Sequence, residues 1–251
     1  MRFSDKIVLI TGASGGIGSA TVRRLAAEGA TLALTDITPQ AGPLLAEVRE
    51  HSPGAVFWSA DLTEEAQVSG LFGSVMERFG RLDVLVNIAG YDHDPGVPLE
   101  KVDATRLARN LDVNLKSCFL CCREAVKLMR PRKAGAIVNM TSLTWRGSPL
   151  QFSYSAAKGG VYTLTRSLAL AYGPEGIRAN AVAPALVEVE NMARLLGPAR
   201  LEQIRASVSA GYPLRRLGQP AEVAACIAFL ASDDASFITG QILEVSGGAR
   251  L

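Results

Sequence analysis

Seven short apolar runs punctuate the chain: Ile7 to Ile10, Leu32 to Leu34, Val56 to Trp58, Val84 to Val86, Ile137 to Met140, Ala179 to Ala183 and Ile242 to Val245. Four of the runs are continuously apolar and the other three are broken only by Asn139, Asn180 and Glu244; apolar runs that do not alternate predict strands buried on both faces of a mainly parallel sheet. Helical signals lie between them. Thr63-Glu64-Glu65 opens one helix and Gly80 closes it after Phe79, and Pro220 opens another that runs to about Ala231. This strand–helix alternation, unbroken by repeat or linker, predicts one doubly wound α/β domain over residues 1–251 with helices on both faces of the sheet. The least regular stretch, Ala185 to Pro213, follows a strand and predicts either a lid over a site or an ordinary surface excursion with a short helix.

Composition narrows the class without changing this picture. A formal charge of +2, with basic residues dispersed along 251 positions, carries no nucleic-acid signal. No apolar run approaches the ~18–20 residues needed to span a bilayer. The first apolar run is cut short by Gly12, unlike a signal-peptide core, so a cytoplasmic protein with no membrane partner is expected. Cys118, Cys121 and Cys122 share one helix face, but no second Cys/His pair has matching spacing, so buried thiols are expected and no metal site.

Thr11-Gly12-Ala13-Ser14-Gly15-Gly16-Ile17-Gly18 comes directly after the first strand and leads into a helical pattern. Glycines there let the backbone approach a pyrophosphate, while the helix N-terminus offers free N–H groups and a favourable dipole. The GxxxGxG spacing resembles that of the short-chain dehydrogenase/reductase family. Asp36 follows the second strand, where a carboxylate accepts hydrogen bonds from ribose hydroxyls and repels a 2′-phosphate. Gly15 brings no compensating cation, so NAD is expected over NADP. The resemblance extends to Asp61-Leu62, expected at the adenine edge, and to Asn87-Ile88-Ala89-Gly90, which is similar to the family's NNAG with Ile88 in place of its second Asn. There Asn87 is expected to stabilise the central sheet, and the small Ala89 and Gly90 to leave room for ribose.

Tyr154-Ser155-Ala156-Ala157-Lys158 places a phenol and an ammonium at i and i+4 on one helix face. A nearby cation lowers a tyrosine from its usual value of ~10, so that it can serve as acid or base closer to neutrality. Alone, the pair could be an amphipathic Tyr beside a surface Lys. It is preceded by Ile137-Val138-Asn139-Met140-Thr141-Ser142, which resembles the family's catalytic serine strand. Ser142 fits the strand motif as the group holding the substrate oxygen, whereas the commoner spacing, one residue longer, points to Thr141. Asn114, in Leu111-Asp112-Val113-Asn114-Leu115, completes the tetrad that the resemblance implies. It also implies a proton path from substrate oxygen through Tyr154, cofactor ribose, Lys158 and a water near Asn114.

Asn180-Ala181-Val182-Ala183-Pro184-Ala185 resembles the segment covering the nicotinamide, and Pro184 and Val187 are expected to contact it. Ala185 and Val189 depart from the usual Gly and Thr there. The resemblance covers nearly the whole chain and implies a single-domain Rossmann-type seven-stranded fold, an NAD-dependent alcohol or ketone oxidoreductase and a homotetramer paired through two long helices, about Val102 to Met129 (which holds Asn114) and Phe152 to Tyr172. A small polyol or sugar alcohol is the favoured substrate class. A 3-oxoacyl-carrier-protein reductase and a catalytically silent NAD-binding protein are the alternatives. Glu175 argues against docking of an acidic carrier protein, although Arg130, Arg132 and Lys133 form a basic group. His93 is a candidate polar contact or a solvent-facing loop residue; Trp145, Gln151 and Glu188 are further candidates near the mouth.

Overall fold

Each of the seven apolar runs forms a strand in the computed structural model, which describes residues 1–38, 42–190, 192 and 196–249. The strands are β1 (Ile7–Thr11), β2 (Thr31–Asp36), β3 (Val56–Ser59), β4 (Val84–Asn87), β5 (Gly135–Met140), β6 (Ile177–Pro184) and β7 (Ile242–Val245). They make one sheet in the order β3-β2-β1-β4-β5-β6-β7, and every pairing is parallel, where the sequence predicted only a mainly parallel sheet. The chain reverses its winding between β1 and β4. A crevice therefore opens beyond their carboxyl ends, where doubly wound sheets bind ligands.

The described helices are α1 (Gly16–Ala27), α2 (Gly42–Val48), α3 (Glu65–Phe79), α4 (Ala104–Leu111), α5 (Ser117–Met129), α6 (Phe152–Tyr172), α7 (Pro198–Gly211) and α8 (Pro220–Ala231). One face of the sheet is covered by α1 and α8, through Val22, Leu25, Val223 and Ile227. The other is covered by α3, α5 and α6, through Leu71, Phe72, Cys121, Val161 and Leu168. Local signals set the ends: Gly80 stops α3 at φ 71°, a left-handed conformation that favours glycine, and Gln219 with Glu222 forms a capping box on α8.

Two expectations change in detail. The long helix expected over Val102 to Met129 begins only at Ala104, where Asp103 accepts the Arg106 N–H, and Asp112–Lys116 forms a π-helical turn inside it. The stretch from Ala185 to Pro213 contains α7 and is tied down at its start, where Val187 bridges Gly218. Residues 191 and 193–195 of that expected lid lie outside the described residues. Among the described residues, no helix is long and apolar enough to cross a membrane.

Candidate active site

The end of β1 organises the crevice. Gly12 turns the chain at φ 65°, and a side chain there would meet the Ala89 backbone at 2.8 Å. Thr11, which the motif reading passed over, accepts the N–H groups of Ile88 (3.1 Å) and Ala89 (3.2 Å), fixing the β4 loop against the glycine turn. At Gly18 a Cβ would collide with the Gly12 carbonyl oxygen. Helix α1 starts with Gly15 as its N-cap and no side chain capping it, so its first N–H groups face the crevice. Asp36, at the end of β2, accepts the Ser14 N–H at 3.0 Å and the Thr38 N–H at 3.3 Å.

A cleft of about 510 Å³ runs from Asp36 past Gly12, Gly15, Gly16, Ile17 and Gly18 to Tyr154 and Lys158. Asp61, Leu62, Ala89 and Gly90 line it as well. The Asp61 carboxylate accepts both the N–H and the hydroxyl of Thr63. Asn87 lies deeper, donating to Asn139 at 2.9 Å, while Asn139 donates to Thr165 at 3.0 Å. This buried amide chain ties β4 to β5 and α6. Cys118 and Cys122 pack against Asn139; burial pushes the Cys121 thiol up, and a hydrogen bond with Cys118 followed by burial pushes the Cys122 thiol up, so these groups stay protonated.

At the reacting end, the Ser142 hydroxyl is hydrogen-bonded to Tyr154. Thr141 is turned away: its hydroxyl donates to the Lys158 carbonyl at 2.8 Å and is buried. Burial chiefly, and then the Asp92 charge, push the Tyr154 phenol up to about 12, against the pull of the Ser142 hydrogen bond. Lys158 is 2% exposed, and burial pulls its ammonium down to about 8. Its Nζ donates to the Met140 carbonyl at 3.0 Å and stands 5.5 Å from the centre of the Tyr154 ring.

Asn114 sits in the π-helical turn, not in a regular helix as expected. Its amide donates to the Tyr91 carbonyl (2.8 Å) and the Asn110 carbonyl (3.0 Å), while its oxygen accepts the Tyr91 N–H (3.0 Å). Asn114 therefore clamps the loop after β4. A Cβ on Gly90 would lie 2.6 Å from Asn114 Oδ1 and 3.0 Å from Lys158 Nζ, so only glycine leaves these groups undisturbed.

The other expected residues are not among those lining the cleft. Pro184 closes β6 and is buried, and Val187 belongs to the core beneath α1 and α8; Val189, two residues on, reaches the cleft and packs over Gly16. His93 is part-buried, its Nε2 shielded without a protein partner, so it does not face open solvent. Trp145 stacks on Tyr162 of α6 at 4.4 Å. Glu188 is paired with Arg205. Asp92, which the sequence did not single out, accepts from Gln151 at 2.8 Å.

An uncapped helix, a glycine turn and a carboxylate at the end of β2 share one cleft with a Ser-Tyr-Lys group, an arrangement that fits a Rossmann-type dinucleotide. A family model described as enoyl-(acyl carrier protein) reductase matches residues 12–250. The chain is 41% identical over 247 residues to a cis-4-hydroxycyclohexanecarboxylate dehydrogenase of Sinomonas cyclohexanicum, covering 98% of this chain and 97% of that protein. It is 39% identical to a levodione reductase of Leifsonia aquatica, covering 98% and 95%. Among solved structures it is similar to an NAD+-bound xylitol dehydrogenase, with TM-score 0.89, 33% identity and coverage of 99% and 100%. It is also similar to ElxO with NADP bound, with TM-score 0.90, 32% identity and coverage of 97% and 98%. The chain belongs to the short-chain dehydrogenase/reductase family, oxidoreductases that act on CH–OH groups.

Proposed function

We propose that the protein is an NAD-preferring dehydrogenase interconverting a small polar secondary alcohol, such as a polyol or sugar alcohol, and its ketone. The observation that carries this reading is the Ser142–Tyr154 hydrogen bond beside buried Lys158, at the end of a cleft that begins at Asp36. Bound NAD would supply the hydride acceptor or donor, held by the α1 N-terminus, the glycines from Gly12 to Gly18, Asp36 and the small Ala89 and Gly90. Ser142 holds the substrate oxygen and donates toward charge developing there. Tyr154 gives or takes the proton. At neutral pH its phenol is protonated in the protein alone and so is ready to donate to a carbonyl. Acting as a base on an alcohol requires added positive charge nearby, which Lys158 and an oxidised nicotinamide would contribute.

Asp36 supports NAD over NADP, because its carboxylate would face a 2′-phosphate and its neighbour Ile37 is apolar and 65% exposed. Catalytic efficiency with NAD+ is expected to exceed that with NADP+ by about a hundredfold, and Asp36→Ala to cut this gap at least about tenfold. An unchanged preference in Asp36→Ala would mark the residue as only a support for the Ser14 turn. For the substrate oxygen, Ser142→Ala is expected to lose about a hundredfold or more in kcat, and Thr141→Val about tenfold less than that. The reverse ranking would move the oxygen-binding role to Thr141.

Against the carrier-protein alternative, two of the three basic residues of its docking group are paired, Arg130 with Glu175 at 2.6 Å and Arg132 with Asp83 at 2.8 Å. A homotetramer remains part of the proposal; apolar Phe119 on α5 and Leu170 on α6 are exposed in the single chain.

A further inference from the structure

The loops after β4 and before α6 are joined next to Tyr154. Their backbones meet where the Gly96 N–H donates to the Leu150 carbonyl at 2.9 Å. Their side chains meet where Gln151 Nε2 donates to Asp92 Oδ2 at 2.8 Å, while Ser148 donates to Gln151 Oε1 at 2.7 Å. A third link runs through buried Asn110, which donates to Ser153 at 2.9 Å and to Asp94 at 3.1 Å. The pair is thus held on two braced loops. Gln151 is the N-cap of α6, three residues before Tyr154, and the Asp92 charge is felt at the Tyr154 phenol, which sets the pair near the reacting group.

Asp92 is part-buried and, like Asp36 and Asp61, has no cation paired with it among the described residues. Its carboxylate takes one hydrogen bond at each oxygen, from the Asp94 N–H (3.0 Å) and from Gln151, which leaves lone pairs unused on both. The second N–H of the Gln151 amide has no protein acceptor among the described hydrogen bonds. A free acceptor therefore stands beside a free donor. A hydroxyl satisfies both at once, donating to the carboxylate and accepting from the amide, whereas a carboxylate would meet Asp92 as a like charge. The charge also reaches Tyr154, where it adds to burial in holding the phenol up.

We infer that Asp92 and Gln151 form a specificity-determining pair that binds a second hydroxyl of a neutral substrate and rejects substrates carrying a carboxylate. The inference rests on the dehydrogenase reading above and deepens it. It sets this chain apart from the relative named for a hydroxycyclohexanecarboxylate, despite their similarity. Recognition is by charge and hydrogen bonding, so the selected class is a neutral diol, polyol or sugar alcohol. An unadorned cyclic alcohol would leave Asp92 and Gln151 without their added partner.

The test compares three cyclohexane substrates of one skeleton with NAD+: a vicinal diol, the plain alcohol, and a hydroxycyclohexanecarboxylate. In the unaltered enzyme, kcat/KM for the diol is expected to exceed that for the plain alcohol by at least about tenfold, and that for the hydroxy acid by more. Asp92→Ala should bring the diol-to-alcohol ratio close to one. The isosteric Asp92→Asn, which can still accept from Gln151, should raise the hydroxy-acid-to-alcohol ratio at least about fivefold. Ratios within one protein cancel any loss of folded enzyme. If both variants keep the parent ratios within about twofold, the pair has no selective role, and the inference falls while the dehydrogenase reading stands. An unaltered enzyme that prefers the plain alcohol or the hydroxy acid overturns it equally. If none of the three alcohols is oxidised and none of the matching ketones is reduced with NADH, the inference and the reading beneath it both fall.

Discussion

Tyr154→Phe is expected to lower kcat by at least about a thousandfold while leaving affinity for NADH within about twofold. The phenol oxygen is the group that Ser142 holds beside Lys158, and the proposed reading gives it the proton exchange with the substrate oxygen. The cofactor cradle lies at the other end of the cleft, in the glycine turn and Asp36, so removing one oxygen should not disturb it. The pH dependence follows from the same group. Burial pushes the phenol up to about 12 in the protein alone, so alcohol oxidation should rise with pH toward the lower value reached with oxidised cofactor bound. Ketone reduction, which needs the protonated phenol, should fall as pH passes through that value. Steady-state rates and fluorescence titration of NADH check both parts. A Tyr154→Phe enzyme retaining more than about one-hundredth of the parent rate contradicts the assignment.

Gly18→Ala is expected to cost about 2–4 kcal/mol of stability and to weaken NADH binding at least about tenfold. The added methyl would collide with the Gly12 carbonyl oxygen, a backbone atom that cannot rotate away. Gly12 is itself pressed against the Ala89 backbone, so the strain passes to both walls of the cofactor cradle. For a chain of this length the loss corresponds to a fall in Tm of about 5–15 °C. Gly15→Ala supplies the contrast. Its Cβ would stand 3.4 Å from the Gly12 oxygen, near ordinary contact, and it should melt close to the parent. Equal melting temperatures and equal NADH affinities for Gly18→Ala and the parent would contradict this view of the turn.

The strands were legible because burial on both faces demands apolar runs, and their short length and regular spacing set them apart from the longer apolar stretch Val223 to Ala231, which forms α8. The glycine turn, Asp36, Tyr154 and Lys158 were legible because their chemistry fixes their spacing: a backbone approach, a strand end and one helical turn. The π-helical turn at Asp112–Lys116 was not, since the extra residue leaves the side-chain types unchanged and is felt only where Asn114 meets the Tyr91 backbone. The choice between Ser142 and Thr141 depends on which adjacent hydroxyl turns toward the Tyr154 phenol and which toward the Lys158 carbonyl, a matter of strand pleat and not of spacing. Nor does spacing reveal that the Val187 side chain packs into the core beside its bridge to Gly218 while Val189 reaches the cleft. Asp92 gave no signal, as a loop aspartate is ordinary until Gln151 is placed beside it.

The chemistry proposed for this site is tested most directly by following the hydrogen itself. The enzyme is given NAD+ and a vicinal diol carrying deuterium at its carbinol carbons, and the reduced cofactor is examined by mass spectrometry. The structure leads us to expect NADH that carries one deuterium from the alcohol, with almost none formed by Tyr154→Phe. Absence of NADH, or NADH formed without the deuterium, would contradict it.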